Sequence, residues 1–109
     1  MLILFDQSTP VPIRPYLEGH TVRTAFQQGW DKLKNGELLA AAEEAGFDLF
    51  LTTDRNMRYQ QNFADRKIAV IALNQQQWPH VRPHILRVVD AVNAATPGSF
   101  AEVDIPYPD

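Results

Sequence analysis

With 109 residues, 45% of them hydrophobic, the chain has the length and apolar content of one globular domain with a buried core. It contains no cysteine, which excludes a disulfide framework, a thiolate zinc site and a cysteine nucleophile. Ten Lys plus Arg against thirteen Asp plus Glu give a net charge of -3, so a polyanion must be held by a local patch rather than by the field of the whole molecule.

The opening MLILFDQ is too short an apolar run for a secretory leader and has no basic residues ahead of it. No stretch approaches the roughly 20 apolar residues of a membrane span, so a soluble, cytoplasmic protein without membrane attachment is expected. Residues 2–5 read as a strand buried on both faces that ends at Asp6. Prolines at 10, 12 and 15 limit the next segment to a short or irregular helix starting near Pro12, with Pro15 in its first turn. Residues 21–25 form a candidate second strand.

Asn35-Gly36-Glu37 marks a helix start, with Asn35 as N-cap, Glu37 in the first turn and Leu38, Leu39, Ala42 and Ala45 on the apolar side, and Gly46 ends it. Residues 48–53 and 66–73 are the next strands, the second of them β-branched and almost continuously apolar. A short helix is expected between them over residues 55–63. A last helix starts between Trp78 and Arg82 and runs to Ala95, with Ile85, Val88, Val89 and Val92 at helical spacing, until Thr96-Pro97-Gly98 stops it. Residues 100–105 alternate as an edge strand does. Strands separated by helices imply a mostly parallel sheet with helices on its faces, a single-domain three-layer α/β/α architecture.

In such a sheet the carboxyl ends of strands share an edge with the amino ends of the helices that follow, provided the crossovers are right-handed. Asp6, Asp54 and Glu37 are therefore expected on one edge. Two carboxylates about 4 Å apart repel by roughly 4 kcal/mol at an effective dielectric near 20, so a cation or a proton must offset them. Hard divalent ions prefer oxygen ligands, and such an ion activates water and stabilises phosphoryl charge.

At these residues the chain resembles the PIN-domain nucleases, in particular the small PIN-like proteins predicted to be ribonuclease toxins of bacterial toxin–antitoxin systems. The likeness runs over nearly the whole chain, from LFDQSTP through KNGELLAAAEEAGFD and LTTDRNMRYQQN to KIAVIAL. It implies a PIN-like domain over residues 1–105 with 106–109 as a tail, and a metal-dependent endoribonuclease that hydrolyses phosphodiester bonds with Mg²⁺ or Mn²⁺. The family's first-strand, helical and third-strand acids fall on Asp6, Glu37 and Asp54, as catalytic and metal-binding residues. Where the family often has a further acid in a Thr-x-Asp-x-Asp pattern, this chain has Asn56, a neutral and weaker ligand. The partners implied are RNA, a cognate antitoxin protein and, as an option, a second copy of the chain.

Other readings stand beside these. Asp6 and Asp54 also suit turn caps, and Glu37 suits a first-turn acid facing the helix dipole. Lys32, Lys34, Arg55 and Arg58 either neutralise acids or hold phosphates of a nucleic acid. Thr52 and Thr53 need only be β-branched strand residues, or they support the site by orienting Asp54. His80 and His84, four apart, lack a third ligand and read as solvated histidines. Trp30, Trp78 and Tyr59 read as packing residues, and Gln60, Gln61 and Asn62 as a polar run near substrate. A phosphoacceptor receiver domain is an alternative fold-mate, but Gln7 stands where it pairs a second acid and Asn74 where it places Lys. Ser8, two places after Asp6, likewise argues against an Asp-x-Asp phosphatase. A PIN-like binding module without efficient catalysis is the remaining alternative, and Asn56 speaks for it.

Overall fold

A computed structural model describes residues 1–57 and 66–106. The expected helix over 55–63, the basic Arg58, Tyr59, the run Gln60 to Asn62 and tail residues 107–109 lie wholly or mainly outside the described residues. The apolar run LILF before Asp6 forms strand β1 (Leu2–Phe5), LFLT after Asp48 forms β3 (Leu49–Thr52), and the longer AVIAL run forms β4 (Ala69–Leu73). These three are buried on both faces, as near-continuous apolar patterns require. β2 (Thr21–Thr24) alternates in exposure, whereas β5 (Phe100–Val103) is exposed at Ala101 and Glu102 and buried at Val103, and the two occupy the edges.

All four strand pairings are parallel, in the order β2-β1-β3-β4-β5. Leu2 pairs with Thr21 on one side of β1, and Ile3 with Leu49 on the other. The chain thus leaves β1 in one direction and returns on its other side, which makes the β1/β3 crevice the point where strand order reverses. Open α/β sheets bind their ligands at the carboxyl end of such a crevice.

Each face carries its own apolar cluster. On one face Ile3, Phe5, Leu49, Leu51 and Ile71 pack with Ile13 of a 3-10 helix (Val11–Tyr16) and with Val88 and Val92 of helix α3 (Ile85–Ala94). On the other, Leu4, Phe50 and Val70 pack with Leu38, Leu39 and Ala42 of helix α1 (Asn35–Glu44). The expected apolar stripe of the last helix is found, with Val88 and Val92 fully buried and Ile85 and Val89 at its margin. Its start is not continuous, because Pro79 and Pro83 divide it into α2 (Trp78–Val81), a 3-10 turn (Arg82–His84) and α3. His80 and His84 thus fall in different helical elements. Trp78 packs beside Tyr16 with ring centroids 5.8 Å apart, and Trp30 meets Phe47 edge-on at 6.0 Å, so both tryptophans are packing residues.

Two expectations are corrected. Asn35 is the first helical residue of α1, and Lys34 occupies the cap position. The β2-to-β3 and β4-to-β5 connections step the same way across the sheet, yet α1 and α3 lie on opposite faces. Their hands are therefore opposite, and one of the two departs from the usual right-handed crossover.

The entry to β4 is pinned from two sides. Gly98 adopts φ +74° and donates its amide to the Lys67 carbonyl at 3.0 Å, and a Cβ there would lie 2.6 Å from the Arg66 carbonyl oxygen, so only glycine fits. From α1, the Glu43 carboxylate accepts the amides of Lys67 at 2.8 Å and Ile68 at 3.4 Å and meets Arg66 at 3.4 Å. The Lys67 amide, with Ile68 and Arg66, holds the Glu43 carboxyl below its ordinary 4.5 against the opposing push of burial. Because the folded value is depressed, this stabilisation is present above 4.5 and is lost as the pH falls through the lowered value. Glu43→Gln is expected to cost about 1 kcal/mol near neutrality. Urea unfolding should show that difference shrinking in acid below 4.5, whereas a constant difference would mean that the charge contributes nothing.

Candidate active site at the carboxyl edge of the sheet

Asp6 follows β1 and is only 5% exposed. A carboxylate so placed must be hydrogen-bonded, and Ser8 and Thr9 in the next turn supply most of the donors. Its Oδ1 accepts Ser8 Oγ at 2.8 Å, Thr9 Oγ1 at 2.7 Å and the Thr9 amide at 3.0 Å. Its Oδ2 accepts the hydroxyl of Thr52 at the end of β3. The Thr9 hydroxyl is itself divided between Asp6 and the Leu51 carbonyl at 2.8 Å, which ties the turn after β1 to β3.

Asp54 lies beyond β3 and is half-buried. Its Oδ1 accepts the Asn56 amide at 3.0 Å, closing an Asx turn, and its Oδ2 accepts Asn35 Nδ2 at 2.9 Å from the first turn of α1. One hydroxyl bonds to both acid residues, and a second reaches Asp6 through Ser8. Thr52 Oγ1 donates to Asp6 and accepts the Asp54 amide at 3.0 Å, while Thr53 Oγ1 donates to Ser8 Oγ at 2.6 Å and Ser8 donates on to Asp6. The threonines read from the sequence chiefly as β-branched strand formers therefore both serve Asp6, Thr52 directly while it also holds the Asp54 backbone, and Thr53 through Ser8.

Glu37 does not join them. It is exposed, and its carboxylate accepts the Lys34 amide at 3.2 Å, a helix-capping interaction at the start of α1. Among the described residues, no three of His, Cys, Asp and Glu are grouped so as to hold a metal ion. The expected three-acid constellation is thus not grouped among the described residues, and Asp6 and Asp54 stand at the ends of adjacent strands. Of the basic residues, Arg55 pairs with Glu102 at 3.2 Å and Asp104 at 3.9 Å beside β5, not with Asp54. Lys32 and Lys34 are exposed and make no ion pair among the described residues. Asn56 is exposed and contributes its backbone amide to Asp54.

Asp6 opens onto two adjoining cavities that share Gln7 and Asp31, whose backbone carbonyl accepts the Gln7 side chain. One, about 230 Å³, is lined by Ser8, Trp30 and Asn35. The other, about 450 Å³, is lined by Thr9, Val11, Arg14 and Phe26. The part played by Ser8 and Thr9 was legible as an acid followed by hydroxyls, the signature of a side-chain-stabilised turn. Asn35 as partner of Asp54, and Asp31 in the cavity wall, left no local signal.

The donor set suits a hard cation. Four donors occupy Asp6, three of them on Oδ1, so Oδ2 keeps one lone-pair direction, and each oxygen of Asp54 accepts one bond and keeps another. Two carboxylates with water completing the shell are a common environment for Mg²⁺. No family model, curated protein or solved structure matches the chain. No helix of the described residues is long and apolar enough to cross a membrane.

Proposed function

We propose that this protein is a metal-dependent endonuclease of the PIN-like kind, with that family's α/β/α layering, and that it hydrolyses phosphodiester bonds of RNA. The observation that carries the reading is that Asp6 and Asp54 stand at the carboxyl ends of adjacent strands β1 and β3, where strand order reverses, with the Thr52 hydroxyl bonded to the Asp6 carboxylate and to the Asp54 amide. The choice of RNA, a cytoplasmic toxin role and an antitoxin partner rest on the resemblance of LFDQSTP, KNGELLAAAEEAGFD and LTTDRN to small PIN-like proteins.

Asp6 and Asp54 would hold Mg²⁺ or Mn²⁺, which supplies Lewis-acid stabilisation of phosphoryl charge and a more acidic water. The chain's own residues set the geometry. Ser8, Thr9 and Thr52 fix Asp6 in one orientation, and Asn35 does the same for Asp54. Exposed Lys32 and Lys34 would meet backbone phosphates, an attraction that weakens with salt. Arg55, paired with Glu102 and still half-exposed, would tie the loop after β3 to β5.

A second reading, a binding module without efficient hydrolysis, is favoured by the capping role of Glu37 and the neutral Asn56. One experiment separates the two. Labelled single-stranded RNA incubated with the purified protein is expected to be cut in Mg²⁺ or Mn²⁺ and to stay intact in EDTA. RNA that binds but stays intact with every divalent ion decides for the binding module.

A further inference from the structure

Large apolar side chains on a protein surface are unremarkable singly, but two of those exposed here, Val11 at 51% and Phe26 at 75%, line the same 450 Å³ cavity beside Asp6. That volume lies in the range of small-molecule sites, roughly 300–1,000 Å³. Arg14 stands in the same wall, and among the described residues no acid is ion-paired with it. Its Nη2 donates to Gln27 Oε1 at 2.9 Å, and that oxygen also accepts the Thr24 amide at 3.0 Å. The guanidinium is thereby fixed between the 3-10 helix and the end of β2.

From this we infer a nucleotide subsite for single-stranded nucleic acid: a base stacks on Phe26 and its phosphate meets Arg14, next to the phosphodiester at Asp6. The inference rests on the nuclease reading and names the form of its substrate. Three features select this occupant. An exposed aromatic face is a platform for any unpaired base, since every base has a π-face. A guanidinium held in place through Nη2, its Nε buried, offers its Nη donors to a phosphate, in a protein whose net charge is -3. The cavity shares Asp6, Gln7 and Asp31 with the smaller one, so a chain seated in the larger continues past Asp6 towards Asn35, the hydrogen-bond partner of Asp54. A base held in a duplex is stacked on its neighbours and unavailable to Phe26, and this selects single strands.

The test measures binding and cutting separately. Fluorescence anisotropy in EDTA follows a short labelled single-stranded oligoribonucleotide on wild type, Phe26→Ala, Phe26→Tyr and Arg14→Gln, with the thermal midpoint of each protein as a folding control. Phe26→Ala is expected to weaken binding about 5- to 150-fold, with Phe26→Tyr close to wild type. Arg14→Gln is expected to reduce the salt slope of binding by about one charge. A duplex of the same sequence is expected to bind less tightly than the single strand and to be indifferent to Phe26. If wild type cuts RNA while Phe26→Ala binds and cuts as well as wild type, the subsite is overturned and the nuclease reading stands. If wild type neither binds nor cuts, both fail together.

Discussion

Asp6→Ala is expected to destabilise the protein by about 3 kcal/mol, a fall of roughly 10 °C or more in the unfolding midpoint. The carboxylate is 5% exposed and accepts four donors. Alanine leaves the Thr9 amide only its longer bond to the carbonyl of residue 6, at 3.3 Å, and it deprives the Ser8 and Thr52 hydroxyls of their acceptor. The Thr9 hydroxyl keeps the Leu51 carbonyl, so the loss falls short of the sum of the bonds. Asp6→Asn retains an acceptor for Thr9 and is expected to cost about 1 kcal/mol. The sign is opposite to that of an acid whose removal relieves like-charge repulsion. Thermal unfolding of the two variants measures it, and a wild-type midpoint for Asp6→Ala would show that the carboxylate does not organise the turn after β1.

Asp54→Asn has the other large effect, this time on cleavage. The asparagine keeps an oxygen for the Asn56 amide and remains beside Asn35, so the midpoint should move by less than about 1 kcal/mol in stability terms. The lost negative charge removes half of the anionic pair proposed to hold the cation. Lewis-acid stabilisation is worth several kcal/mol, so the cleavage rate should fall on the order of 100-fold or more. Glu37→Gln is the companion. Because Glu37 accepts the Lys34 amide at the helix start, it is expected to cost about 0.5–1 kcal/mol in stability and to leave cleavage within a few-fold. Single-turnover rates on labelled RNA with saturating Mn²⁺ check both. If Glu37→Gln loses as much activity as Asp54→Asn, the helical acid belongs to the site after all.

Local sequence was enough for the elements themselves. Apolar runs LILF, LFLT and AVIAL become fully or nearly fully buried strands because no amphipathic alternative exists for them. Val88 and Val92 turn inward because helical periodicity leaves them on one stripe. The turn after β1 was equally legible, since an acid followed by Ser8 and Thr9 bonds its own backbone within three residues. Asp6 and Asp54 were placed correctly at strand ends, because an acid that closes an apolar run cannot continue into the core.

Only the tertiary structure decided which of these groups meet. Strand order β2-β1-β3-β4-β5 sets β1 beside β3, and with it Thr52 against Asp6 across 46 positions of chain. Asn35 reaches Asp54 because α1 begins beside the end of β3, while Glu37, two residues on, turns back to the helix cap. Arg55, next to Asp54 in sequence, finds Glu102 and Asp104 instead, because β5 closes the sheet on that side. Phe26 and Arg14 come to one cavity wall from opposite sides of β2. Short-range pattern determines which segments are strands or helices because propensity and burial act over a few residues. Partner choice among polar side chains depends on sheet order, which follows from packing across the whole chain and has no local signature.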